Sequence, residues 1–310
     1  MTHSHSAQTE PKKWIMACID DSSLSNAVVD YAAWLAQAFG QPLEVLHTLE
    51  HPIQHNSHNH SGNLTPNQQE WLTKSLSEED QVLNKQRIQH GKDILANAQL
   101  RLTDFQQQAT QQGLNGLVEY VTKQRHGTLT DTLTDLQDNI KVLVLGMNGT
   151  QSQTIKDANK SANTIGSQIE AAIKLLHKPV LIVNQMFSTP NSIMLAFNDT
   201  PGAHLALEMI CASPLCKTLK VHAVHVTDNL QKGQILIEQA RQKLTTAGVT
   251  FQTALLQGQA HTALLDYQQQ HNLDLTVMGA FNHGKLHTLL FGSVTAKMLQ
   301  HTQKPLLLLR

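Results

Sequence analysis

The chain has 310 residues, with 23 lysines and arginines against 24 acids and no basic stripe, so the charge footprint of a nucleic-acid binder is absent. The amino terminus MTHSHSAQTEPKKW has no apolar core, and no run approaches the roughly 18 apolar residues that span a bilayer. A soluble, cytoplasmic protein of two ordinary domains, with neither nucleic acid nor membrane as partner, is expected.

In chain order, the apolar runs of the first half predict strands at 14–19, 43–48, 117–122, 141–145 and 180–183. A first helix carries Ala32-Ala-Trp-Leu-Ala36, and a long helix covers about 78 to 110. Between strand two and that helix lies a polar stretch, His51 to Ser77, rich in His, Asn, Gln and Ser and predicted as a loop insertion. Met186-Phe-Ser-Thr-Pro-Asn191 is the linker, because Pro190 and its polar neighbours cannot extend the preceding strand. It divides the chain into domains at 1–187 and 188–310. The second half reads as strand 192–197, a helix through Leu205, strand 219–226, a helix over about 231–246, strand 249–256 and a helix through Leu264 and Leu265. Strand 273–278, a glycine-containing loop, helix 293–301 and strand 306–309 complete it. Strands alternating with helices, several of them unbroken aliphatic runs, predict α/β architecture, each half a doubly wound five-stranded parallel sheet.

The halves are copies. Trp14-Ile-Met-Ala-Cys-Ile-Asp20-Asp-Ser22 matches Ser192-Ile-Met-Leu-Ala-Phe-Asn198-Asp-Thr200 at an offset of 178, and His47 and His225 keep that offset. Gly166-Ser167 precedes Pro179 by the same 13 residues that separate Gly292-Ser293 from Pro305. That offset is only 126, which puts 52 extra residues in the first copy: about 45 before Gly146 and seven between Gly149 and Gly166.

Chemistry concentrates after the fourth strand of the second copy. A glycine leaving a buried strand, Gly279, brings backbone amides close to a ligand; Gly292-Ser293, opening a helix, offers free amides, a hydroxyl and the positive end of the helix dipole to a phosphate. The chain has no Gly-Lys-Ser or Gly-Lys-Thr and no dinucleotide fingerprint of glycines. His51, His55, His58 and His60 could bind zinc, nickel or copper if their loop folds around the ion. Without cysteines or predicted secondary structure to fix that geometry, a solvated cluster is the favoured reading. His47 and His225, closing equivalent strands, are expected to bond backbone or line a cleft. Cys18, Cys211 and Cys216 are too few for a disulfide framework and read as structural filler. No catalytic constellation stands out: Asp20-Asp21-Ser22 sits at a strand's carboxyl end without a paired base.

These motifs, with Gln124-Arg125-His126-Gly127 and Ser61-Gly62-Asn63, resemble the universal stress protein family, specifically its tandem members. The nucleotide-binding branch carries Gly, two residues, Gly, nine residues and Gly-Ser or Gly-Thr after the fourth strand, and an Asp at the end of the first. The resemblance implies that Gly279, Gly292 and Ser293 hold phosphates, that Val294 adds a backbone amide and that Val226 contacts adenine through its backbone. Asn282 replaces the second glycine and Asn198 the first-strand Asp; Asn tolerates the left-handed turn better than most residues. The first copy keeps Asp20, Gly146, Gly149, Gly166 and Ser167, but sixteen residues separate Gly149 from Gly166, a loop that need not hold its amides on the same phosphate. The implied function is a stress-response protein binding ATP or another adenine nucleotide, with or without Mg, chiefly in its carboxyl-terminal half. It would act as a sensor or regulator on a protein partner. The alternatives are a nucleotide-free interaction or chaperone-like module and a slow ATPase. Because such domains pair through the last strand or its neighbouring helix, an intramolecular pseudo-dimer with its clefts on related faces is expected, with a homodimer as a further option.

Overall fold

The structure is a computed structural model that describes residues 12–50, 66–147, 167–280 and 292–310. Its first half contains β1 (Trp14–Ile19), α1 (Ser25–Phe39), β2 (Leu43–Leu49), α2 (Pro66–Gln111), β3 (Tyr120–His126), α3 (Leu129–Leu136), β4 (Ile140–Gly146), α4 (Ser167–Leu175) and β5 (Val180–Val183). The second half contains β6 (Ser192–Ala196), α5 (Pro201–Ala212), β7 (Lys220–Val226), α6 (Leu230–Thr246), β8 (Phe251–Leu256), α7 (Ala260–Gln270), β9 (Leu275–Gly279), α8 (Ser293–His301) and β10 (Leu306–Leu309).

All ten strands form one sheet, in the order β3-β2-β1-β4-β5-β10-β9-β6-β7-β8. Pairing is parallel on either side of its centre and antiparallel at β5–β10, where Leu306 faces Ile182 and Leu308 faces Val180. The expectation of one sheet and one core per half is corrected here. The strands of the two copies merge edge to edge, because Val-Leu-Ile-Val and Leu-Leu-Leu-Leu are buried along their whole length and leave no polar side chain to face water. Apolar side chains then divide by face of the sheet. One cluster holds Ala17, Val144, Leu181, Leu195 and Leu307; the other holds Met16, Leu143, Ile182, Met194 and Leu306. Each cluster runs through both copies. The antiparallel centre also turns the carboxyl ends of β1 to β5 and of β6 to β10 toward opposite edges of the sheet, so ligand clefts at those ends open in opposite directions.

The expected linker is anchored at both ends. Phe187 packs edge-on against Tyr31 of α1, ring centroids 4.8 Å apart, and Gln185 Nε2 donates to the Tyr31 hydroxyl. The amides of Asn191 and Ser192 both donate to Asp274 Oδ2, at 2.9 and 3.1 Å. A further bond, Asn184 Nδ2 to the Thr302 carbonyl at 2.7 Å, ties β5 to the end of α8.

Two boundaries differ from the sequence reading. The third strand begins at Tyr120, three residues later than predicted, and extends through Lys123, Gln124 and Arg125. It is an outer strand, so polar residues are tolerated along it, and Val118, which looked like strand, is exposed. The long helix starts at Pro66, which claims for helix part of the stretch predicted as loop. Proline suits a first helical turn, where its missing amide has no partner to lose, and the polar composition that suggested a loop does not exclude helix. Residues 81–87 of α2 are all exposed. The helix meets the body near Gly91, where a side chain would collide with His47, and from there Leu95, Ala98, Leu102 and Ala109 face the core. Arg101 forks onto both carboxylate oxygens of Asp30 and holds α2 to α1.

Because both clusters cross β5–β10, denaturant unfolding should be one cooperative transition with superimposable fluorescence and circular dichroism curves. Leu307→Ala at the junction should lower its free energy by about 2–5 kcal/mol. Two separated transitions would show that the copies fold independently.

Candidate functional site

At the carboxyl edge of the second half the strand ends enclose a cleft of about 610 Å³, counted out to solvent. Ala196, Phe197 and Asn198 come from β6 and its exit, Val224, His225 and Val226 from β7, and Met278 and Gly279 from β9. Thr200, Ala260, Leu264, Gly292, Val294 and Thr295 complete it from the starts of α5, α7 and α8. Three helix amino termini therefore converge on one cavity, and the described lining residues include no carboxylate, lysine or arginine. Such a site attracts negative charge through backbone dipoles alone.

Like α7, whose N-cap Gln259 makes no capping bond, α8 starts without a side-chain cap. Gly292 is its N-cap in an extended conformation with no side-chain cap, and the first helical bond closes from Ala296 N to the Gly292 carbonyl. The amides of the first turn have no capping side chain and can serve a ligand. Thr295 Oγ1 donates to the Gly279 carbonyl at 3.4 Å, which holds the helix start against the end of β9.

Gly279 has a second duty that the sequence does not reveal. A Cβ there would lie 2.8 Å from the Ala203 amide nitrogen and 2.9 Å from the Gly202 carbonyl carbon; one on Gly202 would lie 2.9 Å from the Leu309 carbonyl oxygen. The first turn of α5 thus crosses β9 and β10 backbone to backbone. Thr200, the N-cap, accepts from the Ala203 amide, and Pro201 starts the helix. In the first copy Leu24 replaces Gly202, and a Cβ on Gly146 would meet it at an ordinary 3.4 Å.

On the opposite wall His225 Nδ1 lies 2.8 Å from the Phe197 carbonyl, so that nitrogen carries the proton. His47 makes the same bond to Ile19 at 2.9 Å. The last rung between β6 and β7 runs from Phe197 N to the Val224 carbonyl, whereas Thr227 N turns to Leu256 on β8. By strand alternation the Val226 backbone faces the β6 side beyond that strand's end, where it borders the cleft. Asn198 is exposed at the rim. The Thr200 hydroxyl, whose lone pair serves the Ala203 amide, donates its proton to Asn198 Oδ1 at 2.6 Å. The Asn198 amide nitrogen is thereby left to face a ligand as a donor.

The fold brings together Asn198, Val226, Gly279, Gly292 and Val294 of the predicted set. Ser293 is exposed at the helix start, beside the lining residues; Asn282 lies outside the described residues. The sequence reading missed Thr200, Ala260, Leu264 and Thr295. Only the Thr-Pro pair at 200 and 201, a helix-start signal, could have pointed to any of them.

In the first copy Asp20 and Gly146 reach the same sheet edge on the paired strands β1 and β4. Asp20 Oδ1 accepts from the Ser22 amide at 3.0 Å and contacts the Ser25 hydroxyl at 3.2 Å. Asp21 pairs at 3.1 Å with His90 of α2, whereas its counterpart Asp199 pairs at 2.9 Å with His204 of its own following helix. Ser167 is the first residue of α4. Gly149, Gly166 and the metal candidates His51, His55, His58 and His60 lie outside the described residues. Among the described residues no group of three or more His, Cys, Asp or Glu could hold a metal ion, and no helix is long and apolar enough to cross a membrane. The three cysteines are free. Burial pushes the Cys18 thiol well above its usual range and Cys216 up to about 11, as unreactive filler requires.

The model of the universal stress protein family matches residues 12–184 and 229–310, one segment in each half. The chain belongs to that family. Universal stress protein Slr1230 of Synechocystis sp. (strain ATCC 27184 / PCC 6803 / Kazusa) is 30% identical over 302 residues, covering 96% of this chain and all of that one. Among solved structures, a universal stress protein from Archaeoglobus fulgidus DSM 4304 has a TM-score of 0.63 at 15% identity and covers 96% of each chain. A putative universal stress protein from Pseudomonas aeruginosa UCBPP-PA14 has a TM-score of 0.58 at 16% identity, covering 96% of this chain and 93% of its own. Both likenesses concern the fold. They extend over the two copies together, so the paired arrangement is shared along with the single repeat.

The Gly202–Gly279 crossing predicts unequal consequences of equal changes in the two universal stress protein repeats. Gly279→Ala or Gly202→Ala forces backbone apart and should destabilise by about 1–3 kcal/mol. Gly146→Ala, with room for its methyl, should stay within about 0.5 kcal/mol of wild type. Chemical denaturation of the three variants measures this; equal losses would contradict it.

Proposed function

We propose that the carboxyl-terminal cleft binds ATP or a related adenine nucleotide, and that the protein acts as a nucleotide-dependent sensor or regulator in the stress response. The observation that carries this reading is the uncapped start of α8, open to a cleft beside Gly279 with no carboxylate among its described lining residues. A polyphosphate chain would lie against the amides of Ser293 and Val294, with the Ser293 hydroxyl at its outer side. The base would occupy the apolar pocket of Val224, Leu264 and Met278, its polar edge meeting the backbone of Val226. Asn198, donating from Nδ2, would meet an acceptor on the sugar or base. Magnesium, where present, would be held by the phosphates, since this wall offers no carboxylate to share it.

Binding without turnover is the chemistry this wall supports. His225 is the titratable residue among the described lining, and its Nδ1 proton is committed to the Phe197 carbonyl, which leaves no oriented acid–base pair among the described lining residues. The first copy is assigned a structural or partner-facing role. Its loop between Gly149 and Gly166 is longer by seven residues, and its cleft edge is tied to α2 through Asp21 and His90.

Equilibrium titration of ATP tests the assignment. Gly292→Val places a branched side chain where phosphate must approach and should abolish measurable binding, whereas Gly166→Val should leave it within about twofold of wild type. Ser293→Ala should cost about 0.5–3 kcal/mol, according to the charge of its partner. The reverse order of the two glycine variants would move the site to the first copy, and no binding by wild type at millimolar ATP would favour a nucleotide-free interaction module.

Asn198→Asp restores the family's residue at the end of the first strand and presents an acceptor where the wild type presents a donor. Tighter ATP binding by this variant in calorimetry is expected where the contact is a base amino group or a ribose hydroxyl. Weaker binding would show that the Asn198 amide donates to an acceptor, whether a base nitrogen, a sugar oxygen or a phosphate.

A further inference from the structure

Positions 44 and 222 are equivalent in the two copies, at the offset of 178 that relates Asp20 to Asn198. Both hold buried ionisable side chains: Glu44 is 4% exposed and His222 2%. Glu44 has a counterion, since Lys123 Nζ lies 2.7 Å from its Oε2. His222 has none. Its Nδ1 lies 3.0 Å from the Tyr267 hydroxyl, and its Nε2 is buried without a hydrogen-bond partner among the described residues. Tyr267 in turn lies against His271, ring centroids 4.1 Å apart with the planes tilted by 36°, and the His271 ring lies 5.4 Å from that of His222.

The surroundings oppose a proton on this ring. Burial above all, with Lys220 on the same strand and His271 at the end of α7 adding to it, holds the His222 pKa below its ordinary value. Tyr267 stays a neutral hydroxyl, its own pKa raised by burial. The register partners Met194 on β6 and Gln252 on β8 bring no charge. A protonated His222 would therefore leave a buried N–H and a buried positive charge uncompensated.

The ring also sits directly behind the cleft. His222, Val224 and Val226 share one face of β7 by strand alternation, and Val224 and Val226 line the cleft. Tyr267 follows Leu264 by one turn on α7, whose Ala260 and Leu264 line the same cavity. The His222–Tyr267 bond thus joins the strand and the helix that form one wall of the site.

We propose that His222 is a proton-sensitive latch of this wall: neutral, it lets α7 seat on β7 and keeps the cleft shaped for its ligand; protonated, it unseats α7 and lowers affinity. The affinity half of this proposal rests on the nucleotide reading above; the seating of α7 does not. The direction follows from linkage. With the folded value below the unfolded one, the unfolded or unseated chain takes up the proton first, so stability is full above about pH 6.5, declines as pH falls below it and levels off once the folded value is passed.

The test uses the full chain with two readouts. Hydrogen exchange of the α7 amides without ligand, corrected for intrinsic rates, should quicken between pH 7.5 and 5.0 relative to those of α3, its first-copy counterpart. In His222→Phe that difference should vanish. ATP affinity measured by calorimetry over the same range should weaken by up to about tenfold for each pH unit below the onset, and His222→Phe should flatten the profile. His222→Gln, which keeps a polar group but does not titrate, should behave like His222→Phe and serves if the latter does not fold. Wild-type α7 protection unchanged with pH, or the same quickening in both variants, overturns the latch whatever the nucleotide result. An intact exchange response in a chain that binds no ATP at any pH upholds the latch of α7 and removes only its ligand.

Discussion

Four residues on each side of one antiparallel contact carry the architecture of this chain. β5 and β10 have no polar side chain, so neither could end a sheet exposed to water without presenting an apolar edge with unpaired amides and carbonyls. Pairing them covers both edges at once. It joins the copies into a ten-stranded sheet, runs each core through both of them, and sends their carboxyl ends to opposite edges. A linker pinned to Tyr31 and Asp274 then connects β5 to β6.

Within that frame the copies have diverged at a few positions with large physical effect. Gly202 lets α5 cross β9 at backbone distance, and Leu24 at the matching place keeps α1 farther from Gly146. His90, reaching from α2, takes the acid that in the second copy pairs with its own helix. Most of the additional length of the first copy lies in the sequence between β2 and the point where α2 meets the body. The two His–carbonyl bonds at His47 and His225, by contrast, are retained almost to the same distance. They cap the first strand of each copy, a structural need that duplication preserves whether or not a ligand binds beyond it.

Most strands were legible because a parallel strand buried on both faces must be an unbroken apolar run. Trp14–Ile19, Val180–Val183 and Leu306–Leu309 needed nothing more. β3 was misplaced because an outer strand may carry Lys123 and Arg125, so hydrophobicity no longer marks where it begins and ends. The start of α2 was missed for a related reason: from Pro66 the sequence carries few apolar residues, and without them there is no helical period to read. At the cleft, Gly279 and Gly292 were visible as backbone signals and Val226 through its place after His225. Ala260, Leu264 and Thr295 carry no motif and Thr200 only the helix-start signal of its Thr-Pro pair, so it is the convergence of separate elements that gives them a shared wall.

The sequence by itself determined the repeat, the α/β alternation, the family and the residues at the strand ends, because each is written in local spacing and in side chains that act on their own backbone. Tertiary structure decided what depends on contact between distant segments. It made one sheet of two, gave Gly279 a packing duty across Gly202, fixed Asn198 as a donor through Thr200, and buried His222 Nε2 behind the cleft with no hydrogen-bond partner among the described residues. None of these follows from a residue's type, since each is set by which atoms from elsewhere in the chain arrive within a few ångströms.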